Sequence, residues 1–318
     1  MKRRTFFKSS LLTLAGASVG CSVLQGNSTK FSVSQTGHKI EVFSDKIKEQ
    51  FNIIFSADIH IAVDENLQPP FDDFAKRMHK YGARNADTII KFSKVAKEKN
   101  SKAIFLAGDI INYPSKGNIE IVADAFKKSS VPIYYVAGNH DWHFEGVEGS
   151  DNEQRAKWLP ILKPLYKTQN QLVDAVVING VKFILLDDST YDILPEQLSL
   201  FERLLREDNL PKIVVCHIPF YAKGRDVGFG LGNPEWGAKK DPLYKIERRQ
   251  QWSEKQSPFA MQLHSMLFSD PNIMGVLAGH IHRQSADYID GKFQFVAPYG
   301  GNNFRGKNEC LEISFSPA

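Results

Sequence analysis

Cysteine is scarce in this chain of 318 residues, which contains Cys21, Cys216 and Cys310 and no others. Three cysteines cannot form the disulfide framework of a small secreted domain, so stability must come from a hydrophobic core. Excess charge is also lacking, since the formal net charge is +4. A nucleic-acid-binding surface usually needs a concentrated basic stripe, and we therefore expect no nucleic-acid partner.

The N-terminal segment has the pattern of an export signal. Residues 2–8 are rich in Lys and Arg, and the apolar run 11–19 follows them. That run is too short to cross a bilayer as a permanent helix, and the combination is typical of a secretory signal. The Arg3-Arg4 pair, followed by a phenylalanine and a lysine, resembles the bacterial twin-arginine export signal. We therefore expect an exported protein of the periplasm or cell envelope.

The end of this segment leaves a membrane anchor open. Cys21 follows a glycine, as in a lipoprotein signal, where the cysteine would be lipidated and tether the protein to a membrane. Ser18 departs from that pattern, because a leucine is expected there. We interpret residues 1–34 as signal peptide and linker, and 35–318 as one folded domain.

Apolar runs alternate with helical patterns along the rest of the chain. β-branched and aromatic residues predict buried strands at 51–55, 103–106, 131–137, 212–216, 273–277 and 311–315. Apolar residues at helical spacing predict helices at 85–99, 119–128, 154–162, 195–206 and 258–268. Asn179-Gly180 and Asp290-Gly291 predict two hairpins. The polar, proline-containing stretch 64–74 is predicted as a loop. This order of elements indicates a layered α/β fold with mixed sheets.

Polar residues with ligand chemistry follow five of these strands directly. They are Asp58, His60, Asp109, Asn139, His140, His217, His280 and His282. In open α/β sheets, ligands bind beyond the carboxyl ends of the strands, so we expect these side chains to gather at one edge. Asp187-Asp188 also closes a strand, and we interpret this pair as a turn.

The residue types in this set are those of a transition-metal site. With His140 left aside, the set has seven groups: two carboxylates, one amide oxygen and four imidazoles. Seven ligands are more than one four-coordinate ion needs and suit two ions. Aspartate and histidine together favour zinc, manganese or iron over calcium. Asp58 and His60, like His280 and His282, would point to the same side of an extended segment, because strand side chains repeat every two residues.

These residues fall into five short motifs in a fixed order. They are Asp58-x-His60, Gly108-Asp109, Gly138-Asn139-His140-Asp141, a lone His217 after a strand, and Gly279-His280-x-His282. In this combination the chain resembles the calcineurin-like metallophosphoesterase superfamily. The resemblance implies a four-layer αββα sandwich with two mixed β-sheets.

The same resemblance implies a role for each motif residue. A first metal would be held by Asp58, His60, Asp109 and His282. A second would be held by Asp109, Asn139, His217 and His280, so that Asp109 and a hydroxide nucleophile bridge the two ions. His140 would contact the phosphate and assist the leaving group, with Asp141 behind it to orient it.

The resemblance therefore implies a hydrolase that uses two divalent or trivalent metal ions, manganese, zinc or iron, to cleave a phosphodiester or phosphomonoester. The substrate would be a small-molecule or lipid phosphoester. An alternative is a non-catalytic protein that binds phosphate ligands on the same fold. It predicts a broken motif, and none of the five is broken.

Several branches of the superfamily stay open. Purple acid phosphatases usually carry a tyrosine three residues after the bridging aspartate, where this chain has Asn112, which argues against their iron site. The context of His217 resembles that of sphingomyelinase-like phosphodiesterases, and cyclic-nucleotide phosphodiesterases share the five motifs. The polar stretch 222–257 follows His217, and we interpret it as a cap over the metal edge, with a solvated loop as the alternative. Tyr299 could contact substrate or belong to a glycine-rich loop.

Overall fold

The computed structural model describes residues 29–144, 152–222, 230–232, 257–302 and 306–318. The expected signal segment, including Cys21, and most of the expected cap 222–257 lie outside these described residues. Within the described part, none of the helices combines the length and the apolar character that crossing a membrane requires.

Twelve strands and six α-helices form the described fold. The strands are β1 Phe31–Thr36, β2 Lys39–Ser44, β3 Phe51–Ser56, β4 Ile104–Ala107, β5 Ile133–Val136, β6 Val173–Ile178, β7 Val181–Leu186, β8 Lys212–Val215, β9 Ile273–Ala278, β10 Ser285–Ile289, β11 Lys292–Val296 and β12 Leu311–Pro317. The helices are α1 Asp72–Gly82, α2 Thr88–Glu98, α3 Lys116–Lys128, α4 Asn152–Leu162, α5 Pro195–Arg206 and α6 Pro258–Ser269.

The strands form two mixed sheets of six strands each. The first has the order β1-β2-β12-β3-β4-β5, and the second has the order β10-β11-β9-β8-β7-β6. Strands β3, β4 and β5 are parallel to one another, as are β7, β8, β9 and β11. Parallel neighbours place their carboxyl ends at the same edge, so both sheets present loops to a common end of the molecule.

Apolar side chains of both sheets form the central core. Phe105 of the first sheet stacks on Phe183 of the second with ring centroids 4.6 Å apart, and Phe315 meets Phe183 edge to face at 5.6 Å. Helix residues cover the outer faces: Phe92 of α2 packs with the first sheet, and Phe201 of α5 with the second. The predicted four-layer α/β sandwich is therefore confirmed.

Most predicted elements are present, and the two hairpins form as expected. Asn179 and Gly180 have φ values of 45° and 82°, and Asp290 and Gly291 have 48° and 81°. Positive φ at both central residues is the geometry of a type I′ turn, which asparagine, aspartate and glycine adopt most readily.

The fold begins earlier than the sequence pattern indicates. Strand β1 begins at Phe31, before the expected domain start at residue 35, and Thr29 already donates a backbone hydrogen bond to the carbonyl of Pro271. The reason is that β1 is an exposed edge strand with few buried side chains, so its stability comes from pairing with β2, which no local pattern shows.

Helix α1 was not expected either, since its start falls inside the predicted loop 64–74. Its buried residues Phe74 and Ala75 pack with Tyr113 and Phe144, which are distant in sequence. The helix therefore depends on tertiary packing more than on a strong local signal.

Candidate metal centre

Five loops meet where the two sheets end. Asp58 and His60 follow β3, Asp109 follows β4, and Asn139 and His140 follow β5 in the first sheet. In the second sheet, one loop carries His217 after β8 and another carries His280 and His282 after β9. Six histidines and aspartates of these loops form two groups, and within each group the potential ligand atoms lie within 4.8 Å of one another.

The first group consists of Asp58, His60, Asp109 and His282. Nε2 of His282 lies 3.3 Å from Oδ1 of Asp58 and 3.0 Å from Nε2 of His60. Nε2 of His60 lies 3.7 Å from Oδ2 of Asp109. These four side chains are the set that the family resemblance implies for a first metal.

The second group consists of Asp109, His217 and His280. Nε2 of His217 lies 3.3 Å from Oδ2 of Asp109 and 3.1 Å from Nδ1 of His280. One oxygen, Oδ2 of Asp109, therefore faces a histidine of each group. This is the geometry that a ligand shared by two ions requires.

The residues on either side of Asn139 contact Asp109. The backbone N–H of His140 donates to Oδ1 of Asp109 over 2.9 Å. A Cβ on Gly138 would lie 2.3 Å from that same oxygen, so only glycine allows this approach. The short 3-10 turn Asn139–Asp141 is therefore held against Asp109.

Hydrogen bonds orient three of the imidazoles. His217 Nδ1 donates to the carbonyl of Ala107 over 2.7 Å, and His60 Nδ1 lies 3.1 Å from the amide oxygen of Asn112. Nε2 of His280 contacts the hydroxyl of Tyr191. In each case the other ring nitrogen faces the ligand group, which is how outer hydrogen bonds prepare a histidine for a metal.

The backbone at these positions is unusual. Asp58, His60, Asp109, His280 and His282 have φ values from 52° to 73°, in the left-handed region that residues other than glycine rarely adopt. The expectation that each Asp-x-His or His-x-His pair lies on an extended segment is therefore wrong. Strands β3 and β9 end earlier, and backbone strain of this kind is concentrated at functional sites.

Burial and nearby charges shift the pKa values of the candidate ligands in different directions. Burial alone would lower the pKa of His217, yet the carboxylates of Asp109 and Asp58 raise it to about 10. Burial raises the pKa of Asp109, but the surrounding histidines, His217 first, hold it well below its usual range. Burial, together with the nearby His140, lowers the pKa of His60 to about 3, which keeps its imidazole neutral as metal ligation requires.

Two buried oxygens test whether metal ions fit here. Oδ1 of Asn139 is buried and accepts no hydrogen bond from the described residues. Oδ1 of Asp58 is buried too, and the polar group beside it is Nε2 of His282 at 3.3 Å, itself a candidate ligand. Buried polar oxygens are nearly always satisfied in folded proteins, because leaving one unpaired costs free energy. Each lies in a loop that carries candidate ligands, so a bound metal ion would give both oxygens a partner.

His140 lies beside the first group without belonging to it. Its ring meets that of His60 edge to face, with centroids 4.8 Å apart. Its Nδ1 lies 3.3 Å from the carbonyl oxygen of Asn112, which can only accept a hydrogen bond. Nδ1 therefore carries a proton, and Nε2 is the nitrogen left for other chemistry.

Asp141 does not orient His140, and that expectation is wrong. Its carboxylate accepts four backbone N–H groups instead, from Gly138, Asp109, Ile110 and Ile111, over 2.7 to 2.9 Å. Burial, with the nearby charge of Asp109, raises the pKa of Asp141 to about 7, and some of these N–H donors oppose the rise. Asp141 thus fastens the turn after β5 to the turn after β4.

Sequence reasoning missed the supporting residues around the ligands. The sequence marks Asn112 only as a departure from the purple acid phosphatase pattern, and it carries no signal for Tyr191. Both contact ligand imidazoles, and no local pattern marks them. The ring of Tyr299 lies 5.2 Å from that of His282 and 6.1 Å from that of His60, so it borders the first group.

Comparison with known proteins places most of the chain in one family model. The family model described as calcineurin-like phosphoesterase matches residues 51–284, most of the chain. An uncharacterized protein of Schizosaccharomyces pombe is 25% identical over 224 residues, which cover 60% of this chain and 49% of that protein. The chain thus spans about half the length of that curated relative.

Two solved structures share the fold at low identity. A dimetal phosphatase from Danio rerio is 14% identical with a TM-score of 0.50, over 78% of this chain and 87% of that one. A purple acid phosphatase from yellow lupin (Lupinus luteus) seeds is also 14% identical with a TM-score of 0.50, over 87% of this chain and 56% of that one. The family match over most of the chain and the shared fold lead to one conclusion: the chain belongs to the calcineurin-like phosphoesterase family.

Proposed function

We propose that this protein hydrolyses a phosphate ester with the help of two metal ions. The observation that carries the proposal is the shared position of Asp109, whose Oδ2 faces His60 of the first group and His217 of the second. A carboxylate that faces both sets of ligands would let two ions act on one phosphoryl group.

The two groups supply candidate ligands for two ions. The first ion would be held by Asp58, His60, Asp109 and His282, and the second by Asp109, His217 and His280. The family resemblance adds Asn139 to the second set, and its buried Oδ1 accepts no hydrogen bond from the described residues. Imidazole nitrogens mixed with carboxylate and amide oxygens suit manganese, zinc or iron. When bound, such ions supply Lewis-acid stabilisation of the phosphoryl oxygens and activate water for attack.

His140 would supply the chemistry that the ligands do not. The oxygen that leaves an alkyl phosphate ester needs a proton, and a positioned histidine gives one with an effect of about 10²–10⁴-fold. The hydrogen bond from Nδ1 to the Asn112 carbonyl fixes the ring and leaves Nε2 as the atom that carries this proton. Its contact with His60 places the ring at the edge of the first group.

The bond that we propose is cleaved is a phosphoester bond. A small-molecule or lipid phosphoester, either diester or monoester, fits a centre built on oxygen and nitrogen ligands. Tyr299 gives the first group an aromatic wall against which an organic part of the substrate could pack. The N-terminal pattern supports action outside the cytoplasm, on an envelope or periplasmic substrate.

The proposal is tested with purified protein reconstituted with manganese, zinc or iron and assayed on a panel of phosphate monoesters and diesters. Wild-type protein should hydrolyse at least one class, and Asp109→Ala should abolish hydrolysis because both groups lose their shared ligand. Asp124→Ala, an exposed change on α3, is the matched control and should retain activity. Phosphate binding without turnover on every ester would favour the non-catalytic alternative.

A further inference from the structure

The loop between β7 and α5, residues 187–192, contributes none of the seven candidate ligands. It nevertheless contacts the three segments that carry the ligands of the second group other than the shared Asp109. Those segments carry His217, Asn139 and His280. We refer to residues 187–192 as the β7–α5 loop.

Asp188 holds the segment of His217. Its Oδ1 accepts the backbone N–H groups of His217 and Ile218, each over 3.0 Å, and its side chain is fully buried. Two hydrogen bonds from successive N–H groups to one carboxylate oxygen fix the direction in which the chain leaves β8. They therefore fix the position of the His217 backbone, from which its imidazole extends toward Asp109.

Ser189 and Tyr191 hold the other two segments. Oγ of Ser189 accepts a hydrogen bond from Nε1 of Trp142 over 2.9 Å, and this buried indole closes the turn that contains Asn139. The hydroxyl of Tyr191 contacts Nε2 of His280, so that Nδ1 of the same ring faces His217.

The loop is itself anchored from two helices. Asp187 accepts a hydrogen bond from Nη1 of Arg155 in α4 over 2.9 Å, and both side chains are buried. Nε2 of Gln197 in α5 donates to the carbonyl of Asp187 over 2.6 Å. A positioning element must be rigid to be useful, and these contacts make this loop rigid.

Two ligands of the first group, His60 and Asp58, make hydrogen bonds to residues outside this loop. Asn112 orients His60, and Oδ2 of Asp58 accepts the backbone N–H of His280 over 2.8 Å. Among the described residues, no hydrogen bond joins the β7–α5 loop to Asp58, His60 or His282. The direct contacts between this loop and candidate ligands are therefore made to the second group.

We propose that the β7–α5 loop positions the second metal ion selectively, with Asp188 and Tyr191 as its principal positioning residues. The inference rests on the proposed dimetal centre. Outer hydrogen-bond partners of metal ligands are typically worth about 10–100-fold in metal affinity. Loss of either side chain should therefore weaken one ion by that factor and leave the other bound.

The experiment is a titration of metal-free protein with Mn²⁺, read as bound metal per chain and as the paramagnetic resonance signal of a coupled metal pair. Asp188→Ala and Tyr191→Phe should each weaken one of the two binding steps by about 10–100-fold and remove the coupled signal at low Mn²⁺. Asp188→Asn keeps an oxygen for both N–H groups and should restore binding. Tyr191→Phe removes only a hydroxyl, so it tests the proposal even where Asp188→Ala fails to fold.

Site assignment comes from double variants. In a His280→Ala background, where the second site is already lost, Asp188→Ala should cause no further loss of metal. In a His282→Ala background, Asp188→Ala should cause its full loss of bound metal in addition to that of His282→Ala. The reason is that the effects of independent sites add, whereas those of coupled sites do not. Asn112→Ala is the matched control and should weaken the first site, since Asn112 contacts His60.

Each outcome separates this inference from the proposed function. Two ions in wild-type protein, with equal weakening of both sites in Asp188→Ala and Tyr191→Phe, would overturn the positioning role alone. The same holds if neither variant changes either binding step. Fewer than two ions in wild-type protein would overturn the dimetal centre, and this inference with it.

Discussion

The carboxylate of Asp141 should be one of the most costly side chains to remove from this protein. It is fully buried and accepts four backbone N–H groups, from Asp109, Ile110, Ile111 and Gly138. A buried donor left without a partner costs about 1–3 kcal/mol, so the loss of four partners should make Asp141→Ala cost about 4 kcal/mol, after the relief from burying the carboxylate is set against it. Against a total of about 5–15 kcal/mol for a typical protein, this is a large loss.

The assay is urea denaturation followed by circular dichroism and tryptophan fluorescence, with all variants under one metal condition. Asp141→Asn should be intermediate, because its amide oxygen can still accept two of the N–H groups while its NH₂ faces the other two. Asp124→Ala on the surface of α3 is the control, and should stay within about 0.5 kcal/mol of wild type.

A second readout separates this role from the orienting role first expected of Asp141. If the carboxylate holds the turn after β4, its loss should displace Asp109 and lower metal content at both sites. An Asp141→Ala variant within about 1 kcal/mol of wild type, with both ions bound and only turnover reduced, would refute the reasoning from the four hydrogen bonds.

The roles of His140, of resident metal ions and of the N-terminal segment can each be tested separately. His140→Ala should slow hydrolysis of an alkyl phosphate ester by about 10²–10⁴-fold and that of a nitrophenyl ester far less, because only the poorer leaving group needs a proton. The measurement is steady-state kinetics on both esters, with the metal content of the variant determined. Equal slowing of the two esters would contradict a general-acid role. A chelator should lower the melting temperature in a thermal scan, since an ion present at 100 times its Kd stabilises the fold by about 2.7 kcal/mol, and Mn²⁺ should restore it. An unchanged melting temperature would speak against resident metal ions. Replacing Arg3 and Arg4 by lysine should leave precursor inside the cell on fractionation, and normal export of this variant would exclude the twin-arginine route. If Cys21 is lipidated, Cys21→Ser should release the protein from the membrane fraction.

Local sequence was sufficient where local geometry decides. The two hairpins were predictable because Asn179-Gly180 and Asp290-Gly291 favour the positive φ values that their turns need. The helix at 195–206 was predictable because a proline in its first turn precedes apolar residues at helical spacing. The candidate ligands were predictable because polar residues of the right chemistry end buried strands, and such ends share one edge of an α/β sheet.

Local sequence failed where stability comes from a distant partner. Strand β1 has mostly exposed side chains and exists because β2 pairs with it. Helix α1 is placed by packing against Tyr113 and Phe144. Neither element carries a pattern strong enough to stand alone, since tertiary contacts outweigh intrinsic propensity in both.

The sequence by itself determined the set of chemical groups in the centre and the family to which the fold belongs. The tertiary structure alone decided how those groups are used. Oδ2 of Asp109 faces histidines from both sheets, Asp141 ties two turns together, and the β7–α5 loop contacts three ligand segments. The physical reason is distance along the chain: hydrogen bonds such as that from His217 to Asp188 join residues from different strand ends, and only the packing of the sheets brings those ends together.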